Sequence, residues 1–359
     1  MTDDERWMGV ALEAATRGIG RTTPNPAVGA VIVRDGVSMA EGWTQPPGQP
    51  HAEPHALAAA GPRAVGATLY VTQEPCCHWG RTPPCTDAIL ASGVRRVVIG
   101  MIDPFPLVAG RGVALLRAAG IEVVVGVRER DCQRSNLGWV RVVQGGLPEV
   151  TLKAAVSLDG RIAAEDGQSR WITGALARAS GHALRDRHDA VLVGIGTVLA
   201  DDPALTTRIP GGRDAVPVVL DTELRIPDGA RLLSARPSSQ PTPIVVCAED
   251  APERTLPAEI VRVPRAAAGV DVRAALARLG VKGLHRVLVE GGGRVARSLL
   301  DADAVDRIEM YLNPRVLAGG PGWAAGPGYG LSSAPAFRFE RTERLGPDLH
   351  LTLERGEES

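Results

Sequence analysis

Three side chains with metal-seeking atoms and one carboxylate set the terms for the first half of this 359-residue chain. His51-Ala52-Glu53 stands upstream of Pro75-Cys76-Cys77-His78-Trp79-Gly80-Arg81-Thr82-Pro83-Pro84-Cys85. Imidazole nitrogen and thiolate sulfur are ligands that zinc takes, and a catalytic zinc keeps its fourth position open for water. Such a water becomes a usable hydroxide near neutral pH if a neighbouring group carries its proton. Glu53 is spaced to do that without ligating. A closed structural site is the competing reading, with His55, Cys77 or His78 as the fourth ligand. That site would have no use for an acid so close to His51, so Glu53 favours the catalytic reading. Cys77 then reads as a small buried neighbour and His78 as a pocket residue. Any acceptable fold must bring residue 51 within a metal ion's reach of 76 and 85.

The length suits two domains better than one core. With 40 basic and 41 acidic residues the charge is nearly balanced, and nothing advertises a polyanion such as nucleic acid. Five cysteines, an odd number with three in one motif, argue for metal binding in a reducing compartment rather than a disulfide framework. The opening Met1-Thr2-Asp3-Asp4-Glu5 is acidic and has no apolar core of a secretory signal. No apolar run approaches membrane-spanning length, so the expectation is a soluble, cytoplasmic protein with no membrane or nucleic-acid partner.

The first half reads as alternating strand and helix. Asp3 or Asp4 caps a helix bearing Trp7, Met8, Ala11, Leu12 and Ala15, ended by Gly18 and Gly20. The two prolines of Thr23-Pro24-Asn25-Pro26 fix a turn around Asn25, and Ala27 to Val33 continues as a buried strand. His51 opens a helix from Ala52 to Ala60, closed by Gly61-Pro62. Strands are expected at Thr68–Thr72, Arg96–Gly100 and Glu122–Val127, and helices at Thr86–Ala91 and about Gly112–Ala119. Both thiols would sit near helix N-termini, where the helix dipole favours the thiolate. The alternation predicts an α/β sandwich with a largely parallel sheet. A helical stretch from Arg130 to Val143 ends at Gln144-Gly145-Gly146-Leu147-Pro148, the best domain boundary in the chain. Domains are therefore expected at 1–146 and 150–359.

Beyond the joint, Val150–Ser157 reads as a strand carrying Lys153, and Ala175–Arg187 as a helix. Further strands are expected at Asp189–Gly194, Pro217–Leu220, Ile244–Cys247 and His285–Val289, with Ser234–Pro243 as a surface loop. Gly194-Ile195-Gly196-Thr197 starts a short helix ending at Asp201-Asp202-Pro203. Glu290-Gly291-Gly292-Gly293 starts another that runs to Leu300. A strand, a glycine-rich turn and a helix bring backbone N–H groups close to phosphate. Each of these turns is weak evidence by itself, since Gly194-x-Gly196 lacks the third glycine of a dinucleotide fingerprint.

Together the motifs carry a resemblance. The His-x-Glu and Pro-Cys pair is the signature of zinc-dependent deaminases. Pro75-Cys76-x-His78-x-Gly80-Arg81-Thr82-Pro83-Pro84-Cys85 is similar to the deaminase domain of the bifunctional deaminase/reductase family of riboflavin biosynthesis. The long Cys76–Cys85 loop separates that branch from nucleoside and transfer-RNA deaminases. Lys153-Ala154-Ala155-x-Ser157-Leu158-Asp159-Gly160-Arg161, Ser169-Arg170-Trp171-Ile172-Thr173-Gly174, Gly194-x-Gly196-Thr197-Val198-Leu199-Ala200-Asp201-Asp202-Pro203 and Glu290-Gly291-Gly292-Gly293 occur in the order of that family's reductase domain. The resemblance covers the chain except about its last 20 residues, where boundaries are least secure.

The resemblance implies an α/β fold in two parts: a cytidine-deaminase-like three-layer αβα domain, then a dihydrofolate-reductase-like α/β domain. It implies that His51, Cys76 and Cys85 ligate zinc, and that Glu53 is the acid/base of hydrolytic deamination of a diaminopyrimidine ribosyl phosphate. By the same resemblance Asn25, His78, Arg81 and Asp103 contact that substrate, Arg81 through the planar fork that suits phosphate. In the second domain it implies NADPH as the donor that reduces the ribosyl group to ribityl. Ala155, Trp171, Thr197, Gly291, Gly292 and Gly293 would hold the cofactor, and Ser169, Arg185, Asp201, Leu205, Arg208 and Glu290 would face the substrate. Lys153 would be the catalytic residue there, with Glu290 its partner at the carbonyl or imine of the opened sugar, where charge changes. A homo-oligomer, dimer or tetramer, is expected.

Two residues depart from the family pattern. Phe105 stands where the family usually has Asn, so a polar contact to substrate is lost or supplied elsewhere. Pro54 stands where a β-branched residue is common, tolerable in a first helical turn whose N–H groups have no helical partner. Of the rival readings, a nucleic-acid deaminase with a fused binding module predicts a basic stripe and exposed stacking aromatics, and the sequence has neither. A catalytically dead zinc scaffold is opposed by Glu53.

Overall fold

The computed structural model describes residues 1–234 and 240–356. Two compact units divide the chain, Met1–Gly146 and Leu147–Ser359. The Gly-Gly pair predicted as the joint lies at this division.

In the first unit the strands are β1 (Gly29–Arg34), β2 (Val37–Trp43), β3 (Thr68–Gln73), β4 (Arg96–Met101) and β5 (Glu122–Val125), and the sheet order is β2-β1-β3-β4-β5. The expected, largely parallel sheet needs correction. β1 runs antiparallel to both β2 and β3, and only the β3–β4 and β4–β5 pairs are parallel. Asp35 and Gly36, both at positive φ, turn β1 straight back into β2, so no crossover helix intervenes.

Helices cover both faces. α2 (Ala52–Ala60), α3 (Cys85–Ser92) and α4 (Arg111–Ala118) set Ala56, Leu57, Ile89, Val113 and Leu116 against Ile32, Leu69, Val71, Val97 and Ile99. α1 (Asp3–Ala15) sets Trp7, Met8 and Ala11 against the opposite face, on Val31, Val33, Tyr70 and Val98, joined by Cys132 of α5 (Glu129–Ser135). Alternating strand residues thus feed two cores, as period-2 geometry requires of an αβα layer. Thr2 caps α1 in a capping box with Glu5. The helix expected across 130–143 is in fact two, α5 and α6 (Leu137–Val143), broken at Asn136. The buried Asn136 amide accepts from Ala27 N–H and donates to Ala27 C=O, both at 2.9 Å, which holds its backbone outside helical values.

The second unit is a nine-stranded sheet. Its elements in chain order are β6 (Glu149–Ser157), α7 (Ala175–Asp186), β7 (Ala190–Gly194), α8 (Ile195–Asp201), β8 (Val216–Leu220), β9 (Ile244–Ala248), β10 (Glu259–Val263), a small ribbon β11 (Arg265–Ala266) and β12 (Gly269–Val270), α9 (Val272–Val281), β13 (Arg286–Val289), α10 (Gly293–Asp301), β14 (Arg307–Asn313), β15 (Phe337–Leu345) and β16 (Asp348–Arg355). The order is β10-β9-β8-β7-β13-β6-β14-β16-β15, parallel from β10 to β14 and antiparallel through β16 to β15. Central strands such as Ala190–Gly194 are apolar without alternation because both faces are covered. α9 and α10 cover one face and α7, α8 and the 224–233 segment the other. β15, charged and exposed along most of its length, closes the edge with side chains that discourage further pairing. Within the expected Ser234–Pro243 loop, residues 235–239 lie outside the described residues.

Candidate active sites

In the first unit two helix starts converge. His51 is the N-cap residue of α2, and Glu53 lies in that helix's first turn, buried to 3 % exposure. Gly42 of β2 makes the placement possible: a Cβ there would come within 2.3 Å of Ala52 O, so any side chain would push the helix start away. Cys85 is the first residue of α3. Cys76 lies in the preceding loop, and the expectation that both thiols sit near a helix N-terminus is met by one helix rather than two. The Cys85 N–H donates to Cys76 Sγ at 3.3 Å, so both sulfurs share the N-terminus of α3.

The three donor atoms form a tight triangle. Cys76 Sγ lies 3.3 Å from Cys85 Sγ and 3.7 Å from His51 Nδ1, and Cys85 Sγ lies 3.3 Å from that nitrogen. Tetrahedral zinc with ordinary Zn–S and Zn–N bonds separates its ligands by roughly 3.5–3.8 Å, so the donor set fits the metal with little adjustment. Among the described residues no fourth His, Cys, Asp or Glu joins the group. Two of the three candidates for a fourth ligand are engaged otherwise, and the third, His78, leaves Nδ1 without a partner among the described residues but lies outside the donor group. His55 Nδ1 accepts from Trp43 N–H at 3.3 Å, Cys77 Sγ lies 3.8 Å from Leu107 O, and His78 tilts against Phe105 with ring centroids 6.0 Å apart.

Electrostatics suit proton transfer. Burial, then the nearby Cys76 sulfur, push the Glu53 carboxyl up to about 7, against opposing pulls from His51 and Cys85. Hydrogen bonds from Cys85 and His51 hold the Cys76 thiol well below its usual range, while its partner Cys85 is pushed up. Burial raises Asp103 to about 6, and Asp103 also feels the charges of Glu74 and Cys76. Gln73 Nε2 donates to Asp103 Oδ2 at 3.0 Å, and Phe105 N–H donates to Asp103 Oδ1 at 2.7 Å. Arg81 is exposed, one residue from Thr82, whose hydroxyl lies 3.5 Å from His51 Nε2. Asn25 is half-buried in a turn closed by its own N–H on Thr22 O at 2.8 Å.

Two residues here are not singled out by the sequence. Glu74 accepts from the N–H groups of Asp103, Gly110 and Val113 at 3.2, 2.9 and 3.1 Å, and so pins the 103–113 loop beside the metal motif. Gln73, 2 % exposed, leaves Oε1 without a partner among the described residues. A Gln-Glu pair closing a strand directly before the Pro-Cys motif is the signal that could have found them.

In the second unit the C-terminal ends of parallel strands supply the site, the usual place for ligands in such sheets. Glu290 comes directly after β13, and Arg185 of α7 grips it with Nε–Oε1 at 2.6 Å and Nη2–Oε2 at 2.9 Å; Arg185 Nη1 also donates to Thr206 O at 2.7 Å. Burial alone would raise the Glu290 carboxyl, but Arg185 and then Lys153 outweigh it and hold it at about 2. Lys153 Nζ lies 4.0 Å from Glu290 Oε2 and 5.8 Å from the Tyr311 ring centroid. Ala155, two residues along β6, shares the Lys153 face.

The glycines separate by role. A Cβ on Gly291 would meet Gly194 N and Val193 Cα at 2.8 Å, and one on Gly293 would meet Gly322 O at 2.4 Å, so both are required by packing. Among the described residues a Cβ on Gly292 would meet Thr197 Oγ1 alone, at 3.7 Å, and one on Gly196 would meet nothing within 4 Å. That open cradle at the start of α10 fits a phosphate-bearing cofactor. Trp171 is 60 % exposed, with the Arg178 guanidinium 4.4 Å from its ring centroid. Asp201 pairs with Arg170 at 3.8 Å, and Ser169 lies beside it in chain, half-buried. Leu205 and Arg208 both hold left-handed backbone, φ 54° and 58°, unusual for such residues and common where a loop shapes a site.

These features define a chain of two enzyme-like units, a zinc-deaminase-type αβα layer and a dihydrofolate-reductase-like α/β unit. Comparison with known proteins agrees. A model for the cytidine and deoxycytidylate deaminase zinc-binding region matches residues 1–101, and one for the RibD C-terminal domain matches residues 148–351. The chain is 40 % identical to riboflavin biosynthesis protein RibD of Escherichia coli over 98 % of its own length and 99 % of the relative's. It is likewise 40 % identical to RibD of Bacillus amyloliquefaciens, over 97 % and 95 %. Among solved structures, the Thermotoga maritima diaminohydroxyphosphoribosylaminopyrimidine deaminase/5-amino-6-(5-phosphoribosylamino)uracil reductase superposes with a TM-score of 0.87 at 37 % identity, covering 99 % of both chains. A RibD structure from Acinetobacter baumannii gives 0.87 at 36 % identity, again over 99 % of each. The chain belongs to the RibD family of riboflavin biosynthesis proteins. The likeness reaches past the limit expected from the motifs, because the second model extends to residue 351, within β16.

Proposed function

We propose that the chain is a bifunctional enzyme of riboflavin biosynthesis, and the observation that carries this is the three-donor cluster of His51, Cys76 and Cys85 with the buried Glu53 carboxyl beside it. Residues 1–146 deaminate 2,5-diamino-6-(5-phosphoribosylamino)pyrimidin-4-one. Residues 150–359 then reduce the ribosyl side chain of the resulting uracil. Zinc supplies Lewis acidity to the first reaction and NADPH the reducing equivalents of the second.

Glu53 moves the protons. Its carboxyl, raised toward neutrality, can give a proton to the ring nitrogen. It can then take one from the attacking water as that oxygen bonds to the ring carbon, pass it to the amine as the C–N bond breaks and ammonia leaves, and recover the last hydroxyl proton. Asp103, held by Gln73 and the Phe105 N–H, presents a carboxyl to the pyrimidine. Asn25 and His78 supply further polar contacts, and Arg81, exposed, meets the phosphate. In the second unit Glu290 stays ionised and holds Lys153, which moves a proton at the carbonyl or imine of the opened sugar as hydride is delivered. Arg208 takes the substrate phosphate. Arg185, already clamped to Glu290, shapes that site more than it grips phosphate. Ser169, Asp201 and Leu205 line the substrate side, while Ala155, Trp171, Thr197 and Gly291–Gly293 hold the cofactor. The proposed enzyme is cytoplasmic and acts on small molecules; among the described residues no helix is long and apolar enough to cross a membrane. A homo-oligomer, dimer or tetramer, completes the proposal.

The test supplies zinc-loaded protein with the diaminopyrimidine ribosyl phosphate and NADPH, tracking ammonia release and NADPH oxidation separately. Both are expected. Ammonia without oxidation removes the second half of the proposal, and the absence of both sinks it.

A further inference from the structure

One histidine of the second unit stands among the site residues without a task. His182 lies on α7, three residues before Arg185, so both project from the same side of the helix. Its Nδ1 is shielded from solvent and has no hydrogen-bond partner among the described residues. The charges that reach it come from four separate elements: Arg185 on α7, Arg208 in the loop after α8, Glu290 after β13 and Lys153 on β6. A second contact places the ring's neighbour against the catalytic lysine. A Cβ built on Gly181 would lie 3.4 Å from Lys153 Cε and 3.8 Å from Nζ, so the Lys153 chain crosses α7 at the residue adjoining His182.

This environment decides the ring's state. Burial disfavours the imidazolium, and Arg185 and Arg208 disfavour it further against the pull of Glu290, so the pKa falls below the ordinary histidine value. A neutral imidazole offers one donor and one acceptor. Leaving a shielded ring nitrogen unbonded is costly, and that cost is removed when a ligand brings a complementary group. The groups around His182 are those proposed for the sugar phosphate.

We infer that His182 is a further substrate-contacting residue of the reductase site, hydrogen-bonding the sugar-phosphate chain between Lys153 and Arg208. The inference rests on the reductase assignment of this unit. The class of ligand is a phosphorylated, ring-opened pentose, whose hydroxyls and phosphate oxygens can each satisfy the ring.

The experiment compares full-length wild type, H182L and H182N in NADPH oxidation with the deaminated ribosyl phosphate as substrate. H182L is expected to lose roughly 10- to 100-fold in kcat/KM for that substrate, the range for a hydrogen bond to a charged or strongly polar group, with KM for NADPH unchanged. H182N, whose amide keeps a polar atom near the Nδ1 position, is expected to recover part of the loss. Unchanged kinetics in H182L overturn the inference, and so does a defect confined to KM for NADPH. Wild-type protein that oxidises no NADPH overturns instead the reductase assignment itself. Should H182L fold poorly, histidine NMR on wild-type protein decides. The signal absent from H182N is expected to shift on adding ribose 5-phosphate at concentrations that inhibit oxidation, and a stationary signal under inhibition overturns the inference.

Discussion

The two candidate sites are built on opposite plans. The first draws His51, Glu53, Cys76 and Cys85 from two short sequence stretches, at the start of α2, in the loop before α3 and at the start of α3, with donor atoms 3.3–3.7 Å apart. The second draws Lys153, Arg185, Arg208 and Glu290 from four separate segments, with a bidentate ion pair between Arg185 and Glu290 and Lys153 at 4.0 Å from Glu290. A metal needs few ligands in strict geometry, so a compact motif suffices. A hydride-transfer site needs a shaped field around an extended cofactor and substrate, and that field can only come from many elements. Damage should therefore be local and chemical in the first site, and partly structural in the second.

The largest expected effect breaks the first plan alone. E53Q should lower deamination by roughly 10²- to 10⁴-fold, the usual worth of a positioned acid/base. Zinc content, read by metal analysis, and NADPH oxidation on already deaminated substrate should both be unchanged. Retained deamination would remove Glu53 from its role. In the second site, E290Q should cost about 3–5 kcal/mol of that unit's stability, because it leaves Arg185 buried without its counter-charge. Two-stage denaturation should show the loss in one transition only. The contribution has a pH signature. Because the native Glu290 carboxyl is depressed to about 2, its stabilisation is full above the ordinary glutamate value of about 4.3 and disappears as pH falls toward the native one.

Smaller effects sharpen the contrast between units. N136A should cost the first unit roughly 1–3 kcal/mol by leaving the Ala27 N–H and C=O unsatisfied, visible as an earlier melt with zinc still bound. The smallest concerns His350, which lies between Glu309 at 2.6 Å and Glu343 at 2.9 Å and stacks on Tyr311. Burial opposes its charge, but the bonds to Glu309 and Glu343 outweigh burial and raise it. Its stabilisation is thus complete below the ordinary histidine value of about 6.5 and is lost as pH rises through the higher native one. The melting difference between wild type and H350Q should shrink from pH 6 to pH 9, and a constant difference would show that the charge contributes nothing.

Much of this is legible in the chain. The helix Ala52–Ala60 is bounded correctly because His51 before it and Gly61 after it are local signals. The strands Thr68–Gln73 and Arg96–Met101 differ by one residue each, since their apolar runs are buried on both faces. The features that escape depend on distant partners. β2 is half-exposed and carries no apolar run, so its antiparallel pairing is visible only beside β1. The break at Asn136 arises from a bond to Ala27, far away in sequence. β14–β16 are rich in charge, and their pattern becomes intelligible once Arg307 is seen bonded to Glu309, Glu340 and Glu354 across adjoining strands. Gln73, whose Oε1 has no partner among the described residues beside its Nε2 bond to Asp103, is a polar group that depends on such a distant pairing.

The bond pair between Asn136 and Ala27 also sets a lower limit on what can be cut away. The residues that bear the metal motif end at Cys85, and the matching deaminase model ends at residue 101. Ala27 comes directly after the Asn25-Pro26 turn, and its peptide groups are completed by a side chain thirty-five positions beyond that model's end. A minimal deaminating fragment trimmed to the motif, or even to β5, would retain every ligand and lose the clasp on the turn that carries Asn25. The working unit is longer than its chemistry.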